Sequence, residues 1–202
     1  MVKIKKKKPI ILIGAGGHAE SCIDLLNEQD QFQLKEIVGE KKEINKKVLK
    51  KYKVKYSDHS LKNLAKKYPY ALIGIGQIKE NKIRVKIFNE LKRLKFNIPV
   101  ICSRYALISK YSKINEGTVV MHGAIIGPNV TIGKNCIVNS NAIIEHGSRI
   151  GDNVHIATSV TVNSSVVLGS GTFIGSGSVI KQTIILKKNS FIKMGSIIIR
   201  DQ

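Results

Sequence analysis

Two stretches of this 202-residue chain hold residue types and spacings that can do chemistry. Near the start, Gly14-Ala15-Gly16-Gly17-His18-Ala19 follows the apolar run Ile10-Ile11-Leu12-Ile13 and precedes Ser21–Leu26, which has helical spacing. Strand, glycine loop and helix in that order turn backbone N–H groups toward an anion at the helix N-terminus. Gly14, Gly16 and Ala19 also satisfy the G-x-G-x-x-(G/A) dinucleotide spacing. The acidic residue that a dinucleotide ribose needs about twenty positions on is not clearly placed. Glu36 comes before the expected strand end, and Glu40 is followed by Lys41 and Lys42. The loop therefore predicts a mononucleotide-type ligand, with a purely structural turn as the alternative. The second stretch carries His122, His146 and His155. Imidazole titrates near neutral pH, so these residues suit general-base work or metal ligation.

Which of those roles is open depends on the frame that holds the histidines. From Ile108 to Ile198 every sixth residue is Ile, Val or Leu, sixteen in succession. Two residues before each aliphatic the types are small or β-branched (Ser112, Thr118, Ala124, Val130, Cys136, Ala142), and just after it Gly or Asn recurs (Asn115, Gly127, Gly133, Asn139, Gly151). A period of six fits neither the 3.6 of a helix nor the 2 of a long strand. It predicts very short strands with two inward side chains, a tight corner after the aliphatic, and three hexads closing a triangular coil of 18 residues. Coils then stack at about 4.8 Å as a left-handed parallel β-helix. In this frame Cys136 and Cys102 are core thiols. His146 lies two past the inward Ile144 and His155 one before the inward Ile156, so both phases face outward. The separations among His122, His146 and His155 are 24, 9 and 33; none is a multiple of 18, so no pair stacks and no metal is expected.

The elements that carry the glycine loop follow from the first half. Strands are predicted over 34–38, 70–75 and 98–101, and helices over 60–67 and 79–95. The expected organisation is a small Rossmann-like α/β domain over 1–100 and the β-helix over 101–202, an α/β + β fold class. Lys and Arg total 34 against 14 acidic residues, a net charge of +20, and a charge run occupies Lys3–Lys8. That balance favours anionic partners. The basic residues are mostly dispersed lysines and aromatics make up only 5%, which argues for phosphorylated small molecules over nucleic acid. No apolar run approaches the ~20 residues of a membrane span, and no signal-peptide stretch opens the chain, so a soluble cytoplasmic protein is expected.

A Gly-x-Gly-Gly-His loop opening a small α/β domain, followed by a hexapeptide β-helix, resembles the bacterial hexapeptide-repeat sugar acyltransferases. These use acetyl-CoA to O-acetylate sialic acids or N-acetylate UDP-4-amino-sugars for surface glycans. The stretches that carry the resemblance are Leu12–His18, Gly117–Met121, Val138–His146 and Ile150–Ala157. The resemblance implies that His146 is the general base, with Glu145 beside it, and that His155 lies near the thioester. It implies that Asn139 helps position the acceptor, and that Gly14, Gly16, Gly17 and His18 hold the nucleotide or sugar end of that acceptor. It also implies a homotrimer with acetyl-CoA in the groove between β-helices and no metal. Lys181, Lys187, Lys188 and Lys193, whose spacing reads as an outward stripe, are the candidates for the CoA phosphates. Where the family usually has Asp or Glu after the base, this chain has Gly147; Lys41-Lys42 replaces acids of uracil-binding members, and Ser159 and Ser164 replace groove glycines. Gly147 keeps a second reading open, a non-catalytic trimeric scaffold that binds a sugar or nucleotide. A metal-dependent β-helix enzyme using His122, His146 and His155 is the third.

Overall fold

A computed structural model describes residues 7–77 and 80–201, so most of the Lys3–Lys8 run and Lys79 lie outside the described residues. The chain divides into two compact units. The first comprises residues up to Gly76 together with Ile83–Pro99, and the second comprises Gln77–Lys82 with Val100–Gln202. The short segment 77–82, which the sequence reading assigns to the first domain, thus groups with the β-helix.

In the first unit, β1 (Lys8–Ile13), β2 (Phe32–Gly39), β3 (Lys47–Val48), β4 (Tyr52–Ser57) and β5 (Tyr70–Ile73) form one sheet in the order β3-β4-β2-β1-β5. All neighbours are parallel except the β3–β4 hairpin. Ile10, Ile11 and Leu12 of the central β1 are fully buried, as a continuous apolar run must be when both faces of a parallel strand are covered. Helices α1 (Gly17–Asn27), α2 (Leu61–Lys67) and α3 (Lys82–Arg93) accompany the sheet. Helix α1 buries Ala19, Cys22, Ile23, Leu25 and Leu26, one stripe at helical spacing. Two details differ from expectation. The strand predicted over 98–101 does not join this sheet: Asn97 makes a single bridge to Tyr70, and Ile101–Cys102 pairs instead with Val119–Val120. The β3–β4 hairpin was not predicted, although Lys51-Tyr52-Lys53-Val54-Lys55-Tyr56 alternates with period two and buries Val54.

The second unit is the parallel β-helix. Its strands are two residues long and stack in three sheets with partners 18 residues apart, as in Ile125↔Ile143 and Ile137↔His155. The inward aliphatics Val120, Ile126, Ile132, Val138, Ile144, Ile156 and Val162 sit in one continuous core. The small inward residues that are polar are satisfied there: Thr118, Ser148 and Ser178 donate to the carbonyls of Gly133, Asn163 and Lys193 at 2.8, 2.9 and 2.9 Å. The corner chemistry lies two residues later than predicted. The left-handed backbone falls three residues after each aliphatic from Ile114 to Ile192, at Gly117, Gly123, Asn129, Asn135, Asn141, Gly147, Asn153, Ser159 and onward through Gly195. The glycines directly after the aliphatic answer a different need. A Cβ on Gly151 would lie 2.6 Å from Ser170 N, and one on Gly175 would lie 2.4 Å from Met194 N, so the next coil's backbone leaves them no room.

Candidate functional site

The glycine loop leaves β1 at Gly14, where φ is +116° and a Cβ would lie 2.9 Å from both Gly74 O and Ile75 Cγ1. Only glycine fits this turn. Gly16 caps α1, its carbonyl accepting the N–H groups of Ala19 and Glu20 at 2.9 and 3.3 Å. Gly16 and Gly17 are exposed, with open space where side chains would project. His18 is half-buried, its Nε2 3.7 Å from the Cys22 sulfur one turn further on. The arrangement is an open helix N-terminus at the carboxyl end of a central strand, suited to an anion.

In the β-helix, the corner after strand Ile143–Ile144 carries Glu145, His146 and Gly147. Adjacent coils grip its backbone: Glu145 N–H donates to Val162 O at 2.8 Å, Gly147 N–H to Pro128 O at 3.1 Å, and Ser165 N–H to His146 O at 3.0 Å. The side chains remain open, His146 being 63% and Glu145 47% exposed. Glu145 Oε2 lies 3.6 Å from His146 Nδ1, within ion-pair range and longer than a hydrogen bond. The pair can therefore orient the ring with Nδ1 toward the carboxylate, leaving Nε2 to accept a proton.

His155 shows where outward phase and exposure part company. It heads its strand as expected, yet only 8% of it is exposed. Its Nδ1 donates to the main-chain carbonyl of Gln77 at 2.5 Å, its ring meets Phe173 edge-on at 5.2 Å, and the Gln77 side chain donates to Asn153 O at 2.7 Å. The sequence reading of His155 as an outward, uncovered histidine is thus corrected: Gln77 covers it, and no periodicity could announce that. Asn139 occupies the corner before that of His146, half-buried, with Oδ1 accepting Ser140 N–H at 2.8 Å.

The four candidate lysines do not form one stripe. Residues six apart occupy successive corners, so only Lys181 shares the His146 edge of the triangular coil. Lys187 and Lys188 follow strand Ile185–Leu186, and Lys193 follows Phe191–Ile192, at the other two edges. His122 is on the edge of Lys193 and Asn139, its Nδ1 2.8 Å from Ser103 Oγ. Among the described residues, His122, His146 and His155 are not gathered within ligand distance of one another. Cys22 and Cys136 are buried and Cys102 half-buried. Burial pushes the Cys22 thiol up to about 12 and the Cys102 thiol up to about 11, as inert core positions require. Sequence reasoning missed Arg84, a guanidinium only 1% exposed that donates to Ile73 O and Ile75 O at 2.9 and 2.8 Å. The available signal was a basic residue in helical phase with Ile87, Phe88 and Leu91.

Two-residue strands, an 18-residue register and left-handed corners define a hexapeptide-repeat protein. Residues 111–146, 129–164 and 147–182 match the bacterial transferase hexapeptide (six repeats), and residues 165–200 match the hexapeptide repeat of succinyl-transferase. Residues 9–91 match the PglD N-terminal domain. The chain thus joins, in order, a match to the PglD N-terminal domain and a run of matches to bacterial transferase hexapeptide repeats. By sequence, no curated protein matches it. Among solved structures, a mutant of perosamine N-acetyltransferase from Caulobacter crescentus, in complex with CoA and GDP-perosamine, is similar. It has a TM-score of 0.89 and 23% identity, over 96% of this chain and 89% of that one. The acetyltransferase domain of PglB from Neisseria gonorrhoeae FA1090, in complex with acetyl coenzyme A, has a TM-score of 0.88 and 23% identity, over 97% of this chain and 93% of that one. WeeI from Acinetobacter baumannii AYE has a TM-score of 0.72 and 18% identity, over 95% and 94%.

Proposed function

We propose that this protein is an acetyl-CoA-dependent acetyltransferase whose acceptor is a sugar, a nucleotide-linked amino-sugar in preference to a sialic-acid-type sugar. The observation that carries the reading is the exposed Glu145–His146 pair on a rigid β-helix corner. In the proposed step His146 Nε2 takes the proton of the attacking amine as nitrogen adds to the thioester carbonyl, and the tetrahedral adduct then expels CoA thiolate. The imidazolium is stabilised by Glu145 and returns its proton to the thiolate. That the similar structures include an N-acetyltransferase with bound CoA and a nucleotide-linked sugar supports the preference for nitrogen. The open glycine loop supports a nucleotide end. A panel of sugar nucleotides and sialic-type sugars, scored for CoA release, tests the proposal; no release with any member would favour the scaffold.

The working form in this reading is a homotrimer. On the sheet that borders the His146 corner, Leu107, Ile125, Ile143, Val179 and Ile197 stand in register on the outer face, interrupted by Thr161. Leu107 and Ile197 are 68% and 74% exposed. Such an apolar ladder beside the base supports a second copy forming the other wall of a CoA groove. Lys181 then faces that groove from the edge of its own His146.

A further inference from the structure

Helix α3 packs one face inward, and residues 84, 87, 88 and 91 lie along it. Leu91 is fully buried, and Ile87 and Phe88 pack against the same core. At the position where periodicity asks for an aliphatic, the chain has Arg84, among the largest fully buried side chains of the protein. Burying a guanidinium is strongly unfavourable unless its N–H groups are bonded. Here Nη1 donates to the carbonyls of Ile73 and Ile75, which bracket Gly74 where β5 ends.

Gly74 is the other wall of the glycine loop. Its N–H donates to Ile13 O at 2.8 Å, while Gly14 N–H donates to Val38 O at 2.7 Å. A Cβ on Gly74 would lie 2.9 Å from Leu12 Cδ1 and 3.0 Å from Ala19 Cα, and one on Gly14 would lie 2.9 Å from Gly74 O. The ends of β1 and β5 and the first turn of α1 therefore touch without space for a methyl group. A shift at Gly74 must move Gly14 or Ala19, and Arg84 fixes Gly74 from both sides. Its charge also reaches α1, where it opposes the burial that raises the Cys22 thiol.

We propose that Arg84 is a positioning residue: by clamping the two carbonyls around Gly74 it sets the shape of the glycine loop for binding a nucleoside diphosphate. The ligand part rests on the nucleotide reading given above. The test uses the full chain as wild type, Arg84→Lys and Arg84→Met, with UDP and GDP as probes in calorimetry and with amide hydrogen exchange. Arg84→Met should speed exchange at Gly14 and Gly74, leave the β-helix strands unchanged, and weaken nucleoside diphosphate binding by roughly tenfold or more. Arg84→Lys, which keeps charge and donors, should fall between and covers the case in which the methionine variant does not fold. Unchanged exchange at both glycines overturns the proposal, and so does faster exchange with undiminished affinity, since that would make Arg84 merely structural. Wild-type protein binding neither UDP nor GDP would overturn the nucleotide reading and the binding half of this proposal, while exchange still decides the shape-setting half.

Discussion

Glu145 and His146 leave the same two-residue strand as sequence neighbours, yet their side chains meet, Oε2 to Nδ1 at 3.6 Å. Neighbours on a continuing strand would point to opposite faces. The corner begins immediately after Ile144 and breaks that alternation, so the carboxylate reaches the imidazole without help from position 147.

If His146 is the base, His146→Ala should lower acetyl transfer by about 10²–10⁴-fold while leaving acetyl-CoA affinity and assembly intact. Steady-state CoA release beside calorimetry with acetyl-CoA checks it. A parental rate would sink the assignment.

Glu145→Gln keeps the shape and removes the charge, and should lower kcat by roughly tenfold with little change in the acceptor KM. Gly147→Glu should not raise the rate, because a carboxylate already faces the ring and Gly147 sits at φ +72°. Gly147→Asn should fold nearly as well as the parent, since Asn129, Asn141 and Asn153 hold the same left-handed corner position. Thermal melts and kcat for these three variants separate backbone strain from chemistry.

Gly127→Ala should damage the site from one coil away. A Cβ there would lie 2.9 Å from His146 N, so the His146 corner must move or the coil must spread. A loss of about 1–3 kcal/mol in stability is expected, with a fall in kcat larger than the fall in acetyl-CoA affinity. Denaturant titration and single-turnover rates would read the two effects.

The apolar ladder predicts its own disruption. Ile143→Lys, placed between Ile125 and Thr161 on the outer face, should yield monomers in sedimentation at micromolar concentration and abolish transfer. A wild-type monomer would remove the shared groove from the mechanism.

Cys22 and Cys102 should resist alkylation in the folded state at pH 8. Burial raises them from an ordinary 9.0 to about 12 and about 11, Arg84 opposing it at Cys22. Above about pH 9 both thiols keep their protons in the fold and lose them in the unfolded chain. Their effect on stability is therefore absent below about pH 9, and stability declines as pH rises from there toward 11. Alkylation counts by mass spectrometry, with and without denaturant, check the first point.

The β-helix was legible because its inward aliphatics repeat without a gap, and each coil repeats the same local choices. Its corners were placed two residues early, because Gly and Asn serve two ends there: Gly151 makes room for Ser170, whereas Asn153 accepts a left-handed backbone. The β3–β4 hairpin carried a clear period of two that its lysines obscured. His155 and Arg84 were beyond periodicity. One is covered by Gln77, far away in sequence, and the other is a charge in an apolar phase whose partners, Ile73 O and Ile75 O, are main-chain atoms without a sequence signature.

The 18-residue register makes the coil a ruler. Along the His146 edge, distance comes in steps of about 4.8 Å, and Lys181 stands two graduations beyond Glu145. A one-residue insertion within a strand would break the 18-residue register at that coil, whereas a whole added coil would leave His146 untouched. Reach along this edge can therefore change only in whole divisions, and a longer or shorter ligand is accommodated by counting coils, not by bending any of them.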